Sequence, residues 1–165
     1  FNPKTQLGPV QNKAQFEIVK GVLQDTQATP AVRILTGGRP IEGPGYFVPP
    51  TLVADIAEGT RLVDEEPFGP VLPIIRYKEV ADAVQRANRT SYGLGASVWG
   101  RNTRRATEVA GQLEAGMVWV NRHVGADPTV PFGGAKQSGI GREYGIHGLR
   151  AYMEAMSLFM PPSVR

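Results

Sequence analysis

Six consecutive residues, Glu65-Glu66-Pro67-Phe68-Gly69-Pro70, bring together carboxylates, an aromatic ring and three residues that restrict or bend the backbone. Such a turn holds side chains in fixed directions at low entropic cost. A carboxylate has two oxygens, so it accepts from two neighbouring hydroxyls, the arrangement a ribose presents. A Phe two residues on offers an apolar face to a planar ring. The same residues also read as a solvated acidic pair beside a core Phe, and both readings stand at this point.

Other chemistry is thinly represented. The chain has no Cys, which excludes disulfides, thiolate metal sites and a Cys nucleophile within it. His123 and His147, the two histidines, have no carboxylate at metal-ligand spacing, so no metal site is expected. His123 lies in a loop after a strand and is a candidate to line a site, whereas His147 near the start of a short helix reads as structural. Ser138 sits in Gln-Ser-Gly rather than Gly-x-Ser-x-Gly, which leaves a triad hydrolase unsupported. Phe132 to Gly145 is Gly-rich, yet no strand leads directly into it and its third glycine is misplaced for a dinucleotide loop. Lys136 is followed by Gln137, so the stretch is not a phosphate loop either. Close backbone packing is the better reading.

These residues must be positioned by a globular scaffold. The chain has 165 residues, 41% hydrophobic and 20% charged, which excludes disordered and collagen-like chains. That length suggests one domain with a real core. Its net charge of +3 comes without a basic stripe, so no nucleic-acid partner is expected. No apolar run approaches the ~18 residues a membrane span needs, so no membrane partner is expected. The chain opens on Phe1 with no signal-peptide pattern, which reads as a piece cut from a longer polypeptide.

Periodicity predicts a helix over 13–23, capped by Asn12 and broken over Thr26 to Pro30. A short strand over 32–35 and an extended segment over 46–53 follow. From residue 71 the pattern is strand 71–76, helix 79–88, strand 94–99, helix 103–113, strand 117–120. That alternation predicts an α/β fold with a parallel βαβ-type sheet flanked by helices. A short helix over 146–152 and an apolar last strand over 155–160 close the chain. Ligands of such sheets sit beyond the carboxyl ends of strands, which points to the loop after Asn121 and, less directly, to the one after Val53.

Together the motifs are specific. Glu65-Glu66-Pro67-Phe68-Gly69-Pro70-Val71 resembles the Glu-Glu-x-Phe-Gly-Pro-Val segment of the NAD(P)-dependent aldehyde dehydrogenase superfamily. Leu7-Gly8-Pro9, Gly45-Tyr46-Phe47 with Pro50-Thr51, and Asn88 with Tyr92-Gly93-Leu94 are similar to the same family in the same order. So are Gly116-Met117-Val118-Trp119-Val120-Asn121 and Pro131-Phe132-Gly133-Gly134 with Lys136, Ser138-Gly139 and Gly141-Arg142-Glu143. The resemblance covers essentially all 165 residues.

It implies the carboxyl-terminal part of the catalytic domain of an enzyme that oxidises a small aldehyde to a carboxylic acid with NAD or NADP. Glu66 would bind the nicotinamide-ribose hydroxyls, Phe68 would pack near the nicotinamide, and Gln15 would sit near the cofactor. Phe132 would line the aldehyde tunnel, and Asn121 and His123 belong to the loop that shapes its entrance. The family's nucleophilic Cys, general-base Glu, oxyanion Asn and Rossmann-like domain would fall upstream of Phe1. No catalytic residue is therefore expected here, and the chain alone should be inactive. Residues 1–154 would be the catalytic-domain part and 155–165 an oligomerisation strand and tail, with Ser157 to Met160 pairing with a partner in a homodimer or homotetramer. A cytoplasmic location is expected. The alternative is a catalytically inactive truncated fragment acting only in assembly.

Overall fold

The computed structural model describes residues 3–123 and 125–162. The chain divides into two compact units, 1–77 and 78–165, where one domain was expected.

The first unit is built on helix α1 (Lys13–Ala28). Asn12 caps it as expected: its backbone is extended and its Oδ1 accepts from the Gln15 N–H at 2.9 Å. The helix does not break at Thr26. There the Thr26 hydroxyl donates to the Val22 carbonyl at 2.7 Å, satisfying itself inside the helix and in the buried face. Pro30 then disfavours helical backbone at Thr29, the C-cap.

Val19, Val22 and Leu23 of α1 pack with Val10, Val48, Val53, Ile56, Leu62 and Val71 into the core. Strands β1 (Arg33–Thr36), β2 (Thr51–Ala54) and β3 (Val71–Ile74) form a three-stranded sheet in that order. β1 pairs antiparallel with β2, and β2 runs parallel to β3 with Thr51 opposite Val71. Of the extended 46–53 segment only the end enters the ladder, because Pro49 and Pro50 have no N–H to give it. A one-turn helix α2 (Arg61–Asp64), not foreseen from the sequence, leads into the 65–70 turn.

The second unit holds α3 (Val80–Asn88), β4 (Gly95–Val98), α4 (Thr103–Ala110), β5 (Met117–Val120) and α5 (Gly145–Arg150). β4 and β5 are parallel, Gly95 opposite Met117 through Val98 opposite Val120, with α4 as the crossover. Ala106 and Ala110 are the buried face of α4. Its last turn unwinds at Gly111, short of the expected 113.

The parallel α/β architecture with flanking helices is as expected, but its strands fall into two sheets rather than one run. β3 carries Pro73, a residue that belongs on a sheet edge. Residues 155–160, expected as a last strand that pairs with a partner subunit, form no ladder with the described residues of their own chain, and Phe159 is 93% exposed.

Gly116 marks the tightest approach in this unit. A Cβ there would overlap the Gly133 carbonyl oxygen and crowd the Gly134 Cα at 3.1 Å. Gly116→Ala is therefore expected to lose about 1–3 kcal/mol of stability, read as a lower melting temperature. Gly8→Ala, where a Cβ meets nothing within 4 Å, should melt like the parent. Equal melting of the two variants would contradict the close approach.

Candidate functional site

The 65–70 turn is laid along one side of α1. The Glu65 N–H closes α2 by donating to the Arg61 carbonyl at 2.9 Å. The Arg61 guanidinium donates through Nε to Glu65 Oε2 at 2.9 Å and through Nη1 to Asp25 Oδ2 of α1 at 3.0 Å. These bonds, to Glu65 first and then Asp25, hold the guanidinium above its ordinary pKa. Further along, the Gln15 side-chain amide donates to the Pro67 carbonyl. Gly69 lies against Val19 so closely that a Cβ would stand 2.5 Å from its Cγ2. Gln15 and Val19 are four apart and share one helical face. The far end of the turn is tied by the Thr51 N–H, which donates to the Pro70 carbonyl at 2.8 Å.

Between these ties Phe68 adopts φ +41°, in the left-handed region, and is 73% exposed. A bulky residue there is an outlier. The ring is not a core residue, which removes the reading of an acidic pair beside a core Phe. Glu66 is exposed, and among the described residues no donor reaches its carboxylate. The structure thus places Glu66 and Phe68 on one turn and ties that turn to Gln15 of α1.

The other three sequence-derived candidates lie in the second unit. Asn121, at φ +54°, uses both ends of its amide on one residue: Oδ1 accepts from the Gly100 N–H at 2.7 Å and Nδ2 donates to the Gly100 carbonyl at 2.9 Å. That bracket fixes the chain just beyond the carboxyl ends of β4 and β5. The His123 ring stands edge-on to Trp119 with centroids 5.0 Å apart. Phe132 is held by a reciprocal backbone pair with Glu143, both bonds 2.8 Å, and its ring lies 6.0 Å from that of Tyr144. Phe132 borders an open cavity of about 390 Å³ that Met117, Trp119, Val130, Arg122 and Asp127 also line. Its size falls in the range of small-molecule sites.

Asp127 orders the loop at that cavity. Its Oδ1 accepts from the Thr129 hydroxyl at 2.7 Å and the Thr129 N–H at 2.9 Å. The Thr129 hydroxyl is the main cause that lowers the Asp127 pKa, followed by the Thr129 N–H, with Arg122 a smaller one.

The aldehyde dehydrogenase family model matches residues 1–158. The chain belongs to the aldehyde dehydrogenase family. It is 39% identical over 160 residues to an aldehyde dehydrogenase of Enchytraeus buchholzi, covering 97% of this chain and 32% of that protein. It is 42% identical over 156 residues to the putative aldehyde dehydrogenase DhaS of Bacillus subtilis, covering 94% and 31%. An NAD+ complex of an aldehyde dehydrogenase from Bacillus cereus superposes with a TM-score of 0.90 at 36% identity, covering 98% of this chain and 33% of that one. Betaine aldehyde dehydrogenase of Staphylococcus aureus, also solved with NAD+, gives 0.86 at 33% identity over 92% and 31%. The chain spans about a third of the length of the relatives it matches.

Several motif residues of this aldehyde dehydrogenase chain are scaffold. Asn88 donates to the Gln112 carbonyl and accepts from the Glu114 N–H. The Lys136 ammonium donates to the Asn88 and Thr90 carbonyls and pairs with Glu114 at 2.9 Å. The Ser138 hydroxyl accepts from the Gly93 N–H at 2.9 Å. The residue that sequence reasoning missed is Arg61. Its spacing of four from Glu65 was a readable signal, whereas Asp25 lies 36 residues away.

Because the folded Asp127 carboxyl titrates below its unfolded value, its bonds to Thr129 are whole above about pH 4 and are lost as pH falls through the folded value. The Thr129 amide resonance in an acid titration should therefore move with a midpoint below the ordinary aspartate range. A midpoint at or above that range would contradict the loop geometry.

Proposed function

We propose that the chain serves an NAD(P)-dependent aldehyde dehydrogenase that oxidises a small aldehyde to a carboxylic acid. In this reading Glu66 and Phe68 hold the nicotinamide-ribose end of NAD or NADP. Phe132 lines the aldehyde path, and the loop beginning at Asn121 and His123 shapes its mouth. The observation that carries the reading is the turn itself: an exposed aromatic in a strained backbone, two residues from a carboxylate that no donor among the described residues occupies. Strain of this kind persists where the surroundings over-determine it, and it clusters at ligand sites.

These residues fit the cofactor chemically. The two Glu66 oxygens can accept from the two hydroxyls of a ribose, and the Phe68 ring can cover one face of a planar heterocycle. When bound, the nicotinamide would supply the hydride acceptor for oxidation of the aldehyde-derived carbon. The contribution of Glu66 is to fix the sugar, and through it the direction in which the ring accepts that hydride. Phe68 shields the ring from water. Asn121, its amide spent on Gly100, positions the loop rather than meeting substrate through that amide. The chain has no Cys, so the thiolate that captures the aldehyde is not among its residues.

A charge-assisted carboxylate–hydroxyl contact contributes roughly 1.5–3 kcal/mol, about ten- to a hundredfold in rate. Glu66→Gln in the intact enzyme should slow single-turnover formation of NAD(P)H by about that factor while leaving aldehyde capture nearly unchanged. Parent-like hydride transfer in this variant would overturn the assignment.

A further inference from the structure

We infer that Arg61 is a positioning residue for the cofactor turn, its guanidinium joining Asp25 of α1 to Glu65 and so setting the direction in which the neighbouring Glu66 carboxylate leaves the backbone. The inference rests on the reading of Glu66 and Phe68 given above.

Three ties hold the turn to α1. Gln15 takes the Pro67 carbonyl, Val19 takes Gly69, and Asp25 takes Glu65 through Arg61. The third passes over a notch. A Cβ at Gly21 would stand 3.2 Å from Arg61 Nη1, so glycine leaves room for the guanidinium beside the helix. Glu66 sits between the Arg61-held Glu65 and the Gln15-held Pro67. Pro67 also confines Glu66 to extended backbone. With both neighbours fixed, the direction of its Cα–Cβ bond is set, and with it the region its carboxylate can reach.

Releasing Glu65 would free Glu66 while leaving Phe68 pinned by Gln15 and by the Gly69–Val19 packing. The ion pairs are solvent-exposed, with the Arg61 side chain 36% accessible, and exposed pairs contribute little to stability. Their effect is on geometry, where a small misplacement is costly to a reaction. Lysine is not equivalent here, because a single ammonium does not reproduce the planar fork that serves two carboxylates at once.

The test uses the intact enzyme. Arg61→Ala should raise the KM for NAD(P) and slow hydride transfer by about three- to tenfold, while the aldehyde KM and the melting temperature stay near the parent's. Arg61→Lys should recover part of the loss. Asp25→Asn, which keeps Arg61 and Glu65, should reproduce most of it and stands in should Arg61→Ala not fold. In a Glu66→Gln background the Arg61 substitution should add nothing further, since both act through one carboxylate.

An equal slowing in both backgrounds, or a parent-like Asp25→Asn, overturns the positioning role. Parent-like kinetics in Arg61→Ala beside an impaired Glu66→Gln overturns it too and leaves the cofactor reading intact. Parent-like kinetics in Glu66→Gln itself means that the cofactor reading has failed.

Discussion

The site depends on α1 as a platform for a backbone that would not otherwise adopt its shape. Holding Phe68 in the left-handed region costs on the order of 1–3 kcal/mol. One hydrogen bond, Gln15 to the Pro67 carbonyl, returns about 0.5–1.5 kcal/mol and does not offset that alone. Packing adds to it: Gly69 seats on Val19, a fully buried side chain of the core. The turn exists because a buried valine and a hydrogen-bonding amide share one helical face. The absence of a Cβ at Gly69 lets the two surfaces meet.

The same economy appears in the second unit, where polar side chains replace missing secondary structure. Asn121 brackets Gly100, Asn88 brackets Gln112 and Glu114, and Lys136 gathers two carbonyls. These bonds serve where apolar burial is scarce. Parallel strands are ordinarily covered on both faces, yet no residue of β4 or β5 is fully buried. Ile140, Tyr152, Met156 and Phe159 are all exposed.

Periodicity and capping made much of the scaffold legible. Asn12 announced α1, and the apolar spacing in α3 and α4 placed both helices. What escaped were features decided by which partner each group finds in the folded chain. Thr26 looked like a break because threonine competes for backbone bonds, and here it satisfied itself on Val22 within the helix. In the site, Pro67 and Gly69 signalled a stiff turn, and the turn is there. No local pattern foretold a left-handed phenylalanine between them. Nor did any foretell Arg61 reaching Asp25, since that tie joins residues brought close only by folding.

The most direct test is a crystal structure of the intact enzyme with NAD or NADP bound. The account predicts both Glu66 oxygens at hydrogen-bonding distance from the nicotinamide-ribose hydroxyls, and the Phe68 ring against the nicotinamide with its φ still positive. A cofactor whose ribose is held by other side chains, with Glu66 turned to solvent, would contradict it.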